Sequence, residues 1–202
     1  MLNLQPNEGR NSQLIRELLA NHGVDLNYIH FHNTPSRFAA YLADFFQPYD
    51  LDQVLGTGFS EQSDPDDDAA TPQDAMVVQC DIPFTGVCAH HLLPMIGVAH
   101  IGYIPNRKIV GLSKLFRLVH AVGHASPGVQ EHYTRKICED LTLWLEPKGL
   151  IVVVECRHAC MEARGINRHG VVTKTSYIDG CFYEPQIRAE FFNLIANAKG
   201  CK

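Results

Sequence analysis

The sequence predicts an α+β protein built on an antiparallel sheet. Apolar periodicity changes along the chain in the order helices, two strands, two helices, two strands, helix. That order lacks the regular strand–helix alternation of a parallel sheet. There is no internal repeat, and no linker divides the chain. With 202 residues, 46% hydrophobic and 19% charged, the chain is long and apolar enough for one full core with a small appendage. The expected organisation is an N-terminal helical extension at 1–55, an acidic loop at 60–75 and a main domain at 76–200, within a single structural domain.

Each element has its own signal. In residues 11–22, Leu14, Ile15, Leu18 and Leu19 recur at helical spacing, and Gly23 follows as a C-cap. A second helix is expected from Asn33 or Thr34, with Pro35 in its first turn, through Phe38, Tyr41, Leu42 and Phe45 to a stop before Pro48. Residues 56–75, with the acidic run 64–68, read as a solvated loop. Residues 76–83 and 95–105 read as strands. A helix starts near Gly111, capped by Ser113, with Leu112, Leu115, Phe116, Val119 and Val122 as its apolar face. Another starts at Pro127 and buries Val129, Tyr133, Ile137, Leu141, Trp144 and Leu145. The continuous β-branched run 150–154 predicts a strand covered on both faces. Residues 171–178 make the fourth strand, and 185–198 a last helix with Ile187, Phe191, Leu194 and Ile195 inward.

Composition also excludes. A net charge of −5 argues against a general nucleic-acid binder, so an anionic ligand must be met by a local basic cluster. No secretory signal and no long apolar run are present, which predicts a soluble, cytoplasmic protein with no membrane partner. Seven cysteines, an odd number in a reducing compartment, are expected to be free or metal-bound.

The chemistry concentrates at Gly86-Val87-Cys88-Ala89-His90-His91. Cys88 and His91 have C-x-x-H spacing, so one tight turn can aim a thiolate and an imidazole at a single point. That pair suits Zn²⁺, although an isolated C-x-x-H also arises by chance. The missing partner is sought in Arg157-His158-Ala159-Cys160-Met161. If the strand continues, His158 and Cys160 point to one side, and so do Glu162 and Arg164. Cys88, His91 and Cys160 then form a three-ligand zinc site with one position open, which leaves His90 and His158 to move protons. Cys156, by contrast, reads as a small buried hydrophobe. Ser113, Lys114 and Arg117 at a helix start suit a phosphate cradle or a solvated polar face. Glu131, in the first turn of its helix, is favoured by the helix dipole, or accepts two N–H bonds from a guanine edge.

In this order and with these separations, Cys88-x-His90-His91, Gly111-Leu112-Ser113-Lys114-x-x-Arg117, Val129-Gln130-Glu131 and His158-x-Cys160-Met161-x-x-Arg164-Gly165 resemble GTP cyclohydrolase I. Thr34-Pro35-x-Arg37 is a weaker echo upstream. The resemblance implies a tunnelling fold (T-fold), an antiparallel sheet with helices packed on one side, joined between subunits into a barrel. It implies a homo-oligomer, a decamer of two pentamers, with shared active sites. It implies conversion of GTP and water to 7,8-dihydroneopterin triphosphate and formate, with Zn²⁺ as cofactor. By position, Cys88, His91 and Cys160 hold the zinc, and His90 and His158 transfer protons. Ser113 belongs with the catalytic residues, and meets the triphosphate and ribose with Lys114, Arg117 and Arg164. Arg37 is expected from a neighbouring subunit, and Gln130 and Glu131 read the guanine. Three places depart from the family pattern: Ala89 stands where Glu is usual, His132 where Arg is usual, and residues 167–170 match loosely. They leave two alternatives, an enzyme that only opens the imidazole ring and a purine- or pterin-binding regulator without turnover.

Overall fold

The computed structural model describes residues 8–56, 75–106 and 108–198. The acidic run 64–68, expected to be a loop, lies outside the described residues. The chain forms two compact units, Met1–Gln47 and Pro48–Lys202.

The first unit contains helices α1 (Glu8–Asn21) and α2 (Thr34–Ala43). Pro35 sits in the first turn of α2, where its missing N–H costs no helical bond. Gly23 follows α1 at φ +77°, the left-handed conformation that a helix end of this kind needs. Ile15, Ala39 and Phe45 are buried, but Leu14, Leu18 and Phe38 stay exposed. The helical spacing of Leu14 and Leu18 is matched by α1, but two short helices do not cover the whole of both apolar stripes.

The second unit opens with a short helix missed in the sequence, α3 (Leu51–Leu55). Asp50 caps it, accepting from Asp52 N at 2.9 Å and Gln53 N at 3.3 Å, and Leu55 is fully buried. Four strands then form one antiparallel sheet in chain order: β1 (Val77–Val87), β2 (Pro94–Ile104), β3 (Gly149–His158) and β4 (Thr173–Gly180). This is the predicted α+β class. β1 runs beyond Pro83 up to the metal turn, because Phe84 to Val87 pair with Gly97 to Pro94.

β3 is buried on both faces, as its apolar run predicts. Leu150, Val152, Val154 and Cys156 belong to the core shared with α4 (Leu112–Ala125) and α5 (Gln130–Leu145). Ile151 and Val153 belong to a second core with Phe182, Phe191 and Ile195. The last two lie on α7 (Pro185–Ala198), which therefore covers the opposite face. Packing on one side holds for α3, α4 and α5, and α7 departs from it. Each of these large apolar side chains contributes roughly 1.5–3 kcal/mol when fully buried.

Three local expectations change in the helices. The buried stripe of α4 is Leu115, Leu118, Val119 and Val122, while Leu112 and Phe116 are exposed. Ser113 does not cap α4; Gly111 occupies the N-cap without a side-chain bond. α5 starts at Gln130 rather than Pro127, because Val129 is extended and Gly128 pairs with Cys88. α4 lies so close to β1 that a methyl at Gly123 would sit 2.1 Å from Thr85 O, so only glycine fits there.

Candidate metal and catalytic site

The turn between β1 and β2 is held by its own backbone. Cys88 N donates to Leu93 O at 2.9 Å, and Leu92 N donates to Cys88 O at 2.8 Å. Leu92 takes φ +53° to close the turn, a conformation that strains a branched residue. The start of α5 supports it from the side. Ala89 N donates to Gly128 O and Gly128 N to Val87 O, both at 2.9 Å. The Tyr133 hydroxyl lies 2.8 Å from Ser126 O and 3.0 Å from Val87 O. Six residues can thus present Cys88, His90 and His91 on a fixed frame, and Ala89 serves it through its backbone.

Cys88, His91 and Cys160 converge. One sulfur or nitrogen atom of each lies within 4.8 Å of the other two. Cys88 Sγ is 3.7 Å from His91 Nδ1 and 3.8 Å from His90 Nδ1, so distance to Cys88 does not separate the histidines. The group that closes on Cys160 contains His91. Cys88 is buried and His91 exposed, which gives the cluster one protected and one open side. Burial, and after it the neighbouring Cys88 thiol, push the Cys160 thiol up, while Arg164 pulls it down. Cys156 and Cys138 differ: burial pushes both up to about 12, as for inert core thiols. No disulfide joins the described cysteines.

Cys160 reaches this cluster by a route other than strand alternation. β3 ends at His158, and a single helical turn, α6 (Ala159–Glu162), carries Cys160. The same-side argument for His158, Cys160, Glu162 and Arg164 is corrected accordingly. Glu162 instead anchors the following loop. Arg157 donates to both of its carboxylate oxygens at 2.8 Å, and Gly170 N donates to Oε1 at 3.0 Å. The Arg157 guanidinium and this backbone bond hold the Glu162 carboxyl at about 2. This clamp was not legible in the sequence, because the turn of α6 and the following loop bring Gly170 to Glu162 from eight residues away.

His158, half-buried at the end of β3, meets Gln130. Gln130 Oε1 lies 2.7 Å from His158 Nε2. The amide nitrogen donates to Val154 O at 2.8 Å and Thr173 O at 3.0 Å, with Thr175 Oγ1 at 3.2 Å. Gln130 is only 2% exposed. Its side chain is committed inside the protein, which corrects the expectation that it reads a base. Glu131, the other residue expected to read a base, is exposed in the first turn of α5. Burial pulls the His158 imidazole below its ordinary value, and the nearby Glu131 carboxylate offsets part of this. Thr134, whose hydroxyl donates to Gln130 O at 2.9 Å, meets Thr175 across the α5–β4 contact. The i, i+4 polar pair Gln130 and Thr134, set against the alternating Thr173 and Thr175, is the signal that could have revealed this contact.

The remaining expected residues lie on other elements. Ser113, Lys114 and Arg117 occupy the first turns of α4; Ser113 and Arg117 are exposed, and Lys114 is buried. Arg37 is exposed on α2, in the first unit.

Known proteins match along nearly the whole chain. The profile of the GTP cyclohydrolase I family covers residues 11–196. A protein named GTP cyclohydrolase 1 from Streptomyces griseus is 43% identical over 192 residues, covering 93% of this chain and 90% of that one. Another of that name from Sulfurihydrogenibium is 39% identical, covering 93% and 94%. A third, from Sinorhizobium fredii, is 35% identical, covering 96% and 92%. Full-length similarity of this order, together with the convergence of Cys88, His91 and Cys160, places the chain in the GTP cyclohydrolase I family of enzymes.

Proposed function

We propose that this enzyme is zinc-dependent and converts GTP and water to 7,8-dihydroneopterin triphosphate and formate, a first step toward reduced pterins and tetrahydrofolate in the cytoplasm. The observation that carries the reading is the Cys88, His91 and Cys160 cluster, with His158 two residues before Cys160 at the end of β3. The donor set fits the metal. Tetrahedral zinc at about 2.3 Å from sulfur and about 2.0–2.1 Å from nitrogen keeps its ligand atoms roughly 3.5–3.8 Å apart, and Cys88 Sγ and His91 Nδ1 are 3.7 Å apart. When bound, zinc supplies a Lewis acid that makes hydroxide available near neutral pH.

The chain's own residues divide the remaining work. In the proposed reaction water added across C8–N9 opens the imidazole ring, a second water hydrolyses the resulting formamide to release formate, and one water is returned as the rearranged ribose closes the pterin ring. His90 and His158 take and return the protons these steps need. Glu131 accepts from N1–H and the 2-amino group of the base. Lys114, Arg117 and Arg164 meet the triphosphate, with Ser113 at the start of α4 and Arg37 supplied by a neighbouring subunit. We further propose a decamer of two pentamers. Support comes from Leu14, Leu18 and Phe38, apolar residues left exposed on the first unit, and from β1 and β4, the outer strands of the sheet.

One assay tests the reaction. Purified, zinc-loaded protein is incubated with GTP, and formate and oxidised-pterin fluorescence are followed together. Both products are expected in equal amount. A formamidopyrimidine nucleotide seen by mass spectrometry, or formate, without pterin selects the ring-opening alternative, and unconverted GTP selects the binding homologue.

A further inference from the structure

The hydrogen-bond pattern around Gln130 decides which nitrogen of His158 carries the proton. Val154 O and Thr173 O can only accept, so the amide atom facing them at 2.8 and 3.0 Å is the NH₂ group. The other amide atom is then Oε1, which also can only accept. It lies 2.7 Å from His158 Nε2, so Nε2 is the donor. In the neutral ring the lone pair is left on Nδ1. Reversing the tautomer would set two lone pairs against each other. Rotating the amide instead would turn its oxygen onto two carbonyl oxygens. Either arrangement leaves buried polar groups without partners, and Gln130 has no water to relieve them at 2% exposure.

We propose that Gln130 is a positioning residue for the reaction: it locks His158 as the Nε2–H tautomer and makes Nδ1 the atom that takes and returns protons. The inference rests on the reading that His158 transfers protons. The anchor is rigid at both ends. His158 closes β3, paired with Met95 on β2, and Gln130 joins the first turn of α5 to β3 and β4. A ring that is free to present either nitrogen spends part of its time in an unproductive form, so the loss belongs to turnover and not to substrate affinity.

The test is a double-mutant cycle on the full zinc-loaded enzyme. Gln130→Met keeps length and volume but removes the acceptor. It is expected to lower kcat about ten- to hundredfold, toward the lower end of the roughly 10²–10⁴ carried by a proton-transfer group itself, with KM for GTP within about twofold. In a His158→Ala background the same change should lower kcat no further. A raised KM with unchanged kcat would make Gln130 a substrate-reading residue and overturn the proposal. So would an undiminished kcat effect in the His158→Ala background. If His158→Ala alone keeps full activity, the proton-transfer reading fails instead, and the two failures are thereby distinguished. Should Gln130→Met not fold, ¹⁵N-histidine spectra of the unmodified enzyme at pH 8, with His158 assigned by its loss in His158→Ala, give the tautomer directly. A protonated Nε2 is expected, and a protonated Nδ1 overturns the proposal.

Discussion

Tyr133 on α5 stands between the two strands of backbone that frame the metal turn, with its hydroxyl 3.0 Å from Val87 O and 2.8 Å from Ser126 O. Its ring packs edge-on against Phe84, and the residue is 4% exposed. Tyr133→Phe keeps the packing and removes the one O–H donor shared by Ser126 O and Val87 O, of which Val87 O keeps the Gly128 N–H. The expected cost is about 0.5–1.5 kcal/mol of unfolding free energy. Denaturant unfolding measures it, and an unchanged midpoint would mean that these carbonyls find other donors.

The cluster predicts which substitutions release metal. Cys160→Ser should lose most of its zinc, because the third atom of the group is then a poor zinc donor. His90→Ala should keep its zinc, although His90 Nδ1 is only 3.8 Å from Cys88 Sγ. Elemental analysis of both proteins decides. Zinc loss in His90→Ala would make His90 a ligand, and full retention in Cys160→Ser would remove Cys160 from the set.

Guanine choice is predicted to depend on Glu131. Its carboxylate is exposed at the start of α5 and lies close enough to His158 to offset part of the lowering that burial imposes on that imidazole. Sites built to pair such donors reject analogues that lack them by roughly 10⁴ or more. ATP should not be turned over, and Glu131→Gln should lose most activity while its thermal unfolding stays unchanged. An active Glu131→Gln enzyme would return Glu131 to the role of a helix-dipole partner.

Arg117, exposed on α4, is predicted to hold phosphate. Arg117→Ala should raise KM for GTP roughly tenfold or more, the loss of one charge-assisted hydrogen bond. Added inorganic triphosphate should inhibit the variant less than it inhibits the parent. Equal turnover of guanosine and GTP by the unmodified enzyme would show that no phosphate cradle operates.

The Glu162 clamp carries a pH signature. Its carboxyl lies at about 2 in the folded protein, against an ordinary 4.5, so the folded state favours the charged form. That contribution is fully present above pH 4.5 and is lost as the pH falls toward 2. The Gly170 amide, which donates to Glu162 Oε1, should therefore lose hydrogen-exchange protection across this window after correction for intrinsic rates. In Glu162→Gln its protection should be low already at pH 7. Protection that is independent of pH and of this substitution would show that the loop is held by its other bonds.

The sequence by itself determined the class and the cast of this protein. Periodicity marks residues 150–154 as a strand covered on both faces, because a continuous β-branched run suits nothing half-exposed. The C-x-x-H spacing of Cys88 and His91 marks the metal turn, because a reverse turn brings such a pair together without help from elsewhere. Contacts between distant segments were settled only by the tertiary structure. Cys160 joins the turn through the helical break of α6, which no period-two rule could anticipate. Gln130 faces His158 rather than solvent, because the α5–β3–β4 packing surrounds it with carbonyls that consume its amide. α7 takes the second face of the sheet because Ile151 and Val153 leave an apolar surface there, which its own Phe191 and Ile195 cover. Local spacing fixes what neighbouring residues can do together. Which distant residue completes a site depends on the packing of the whole domain.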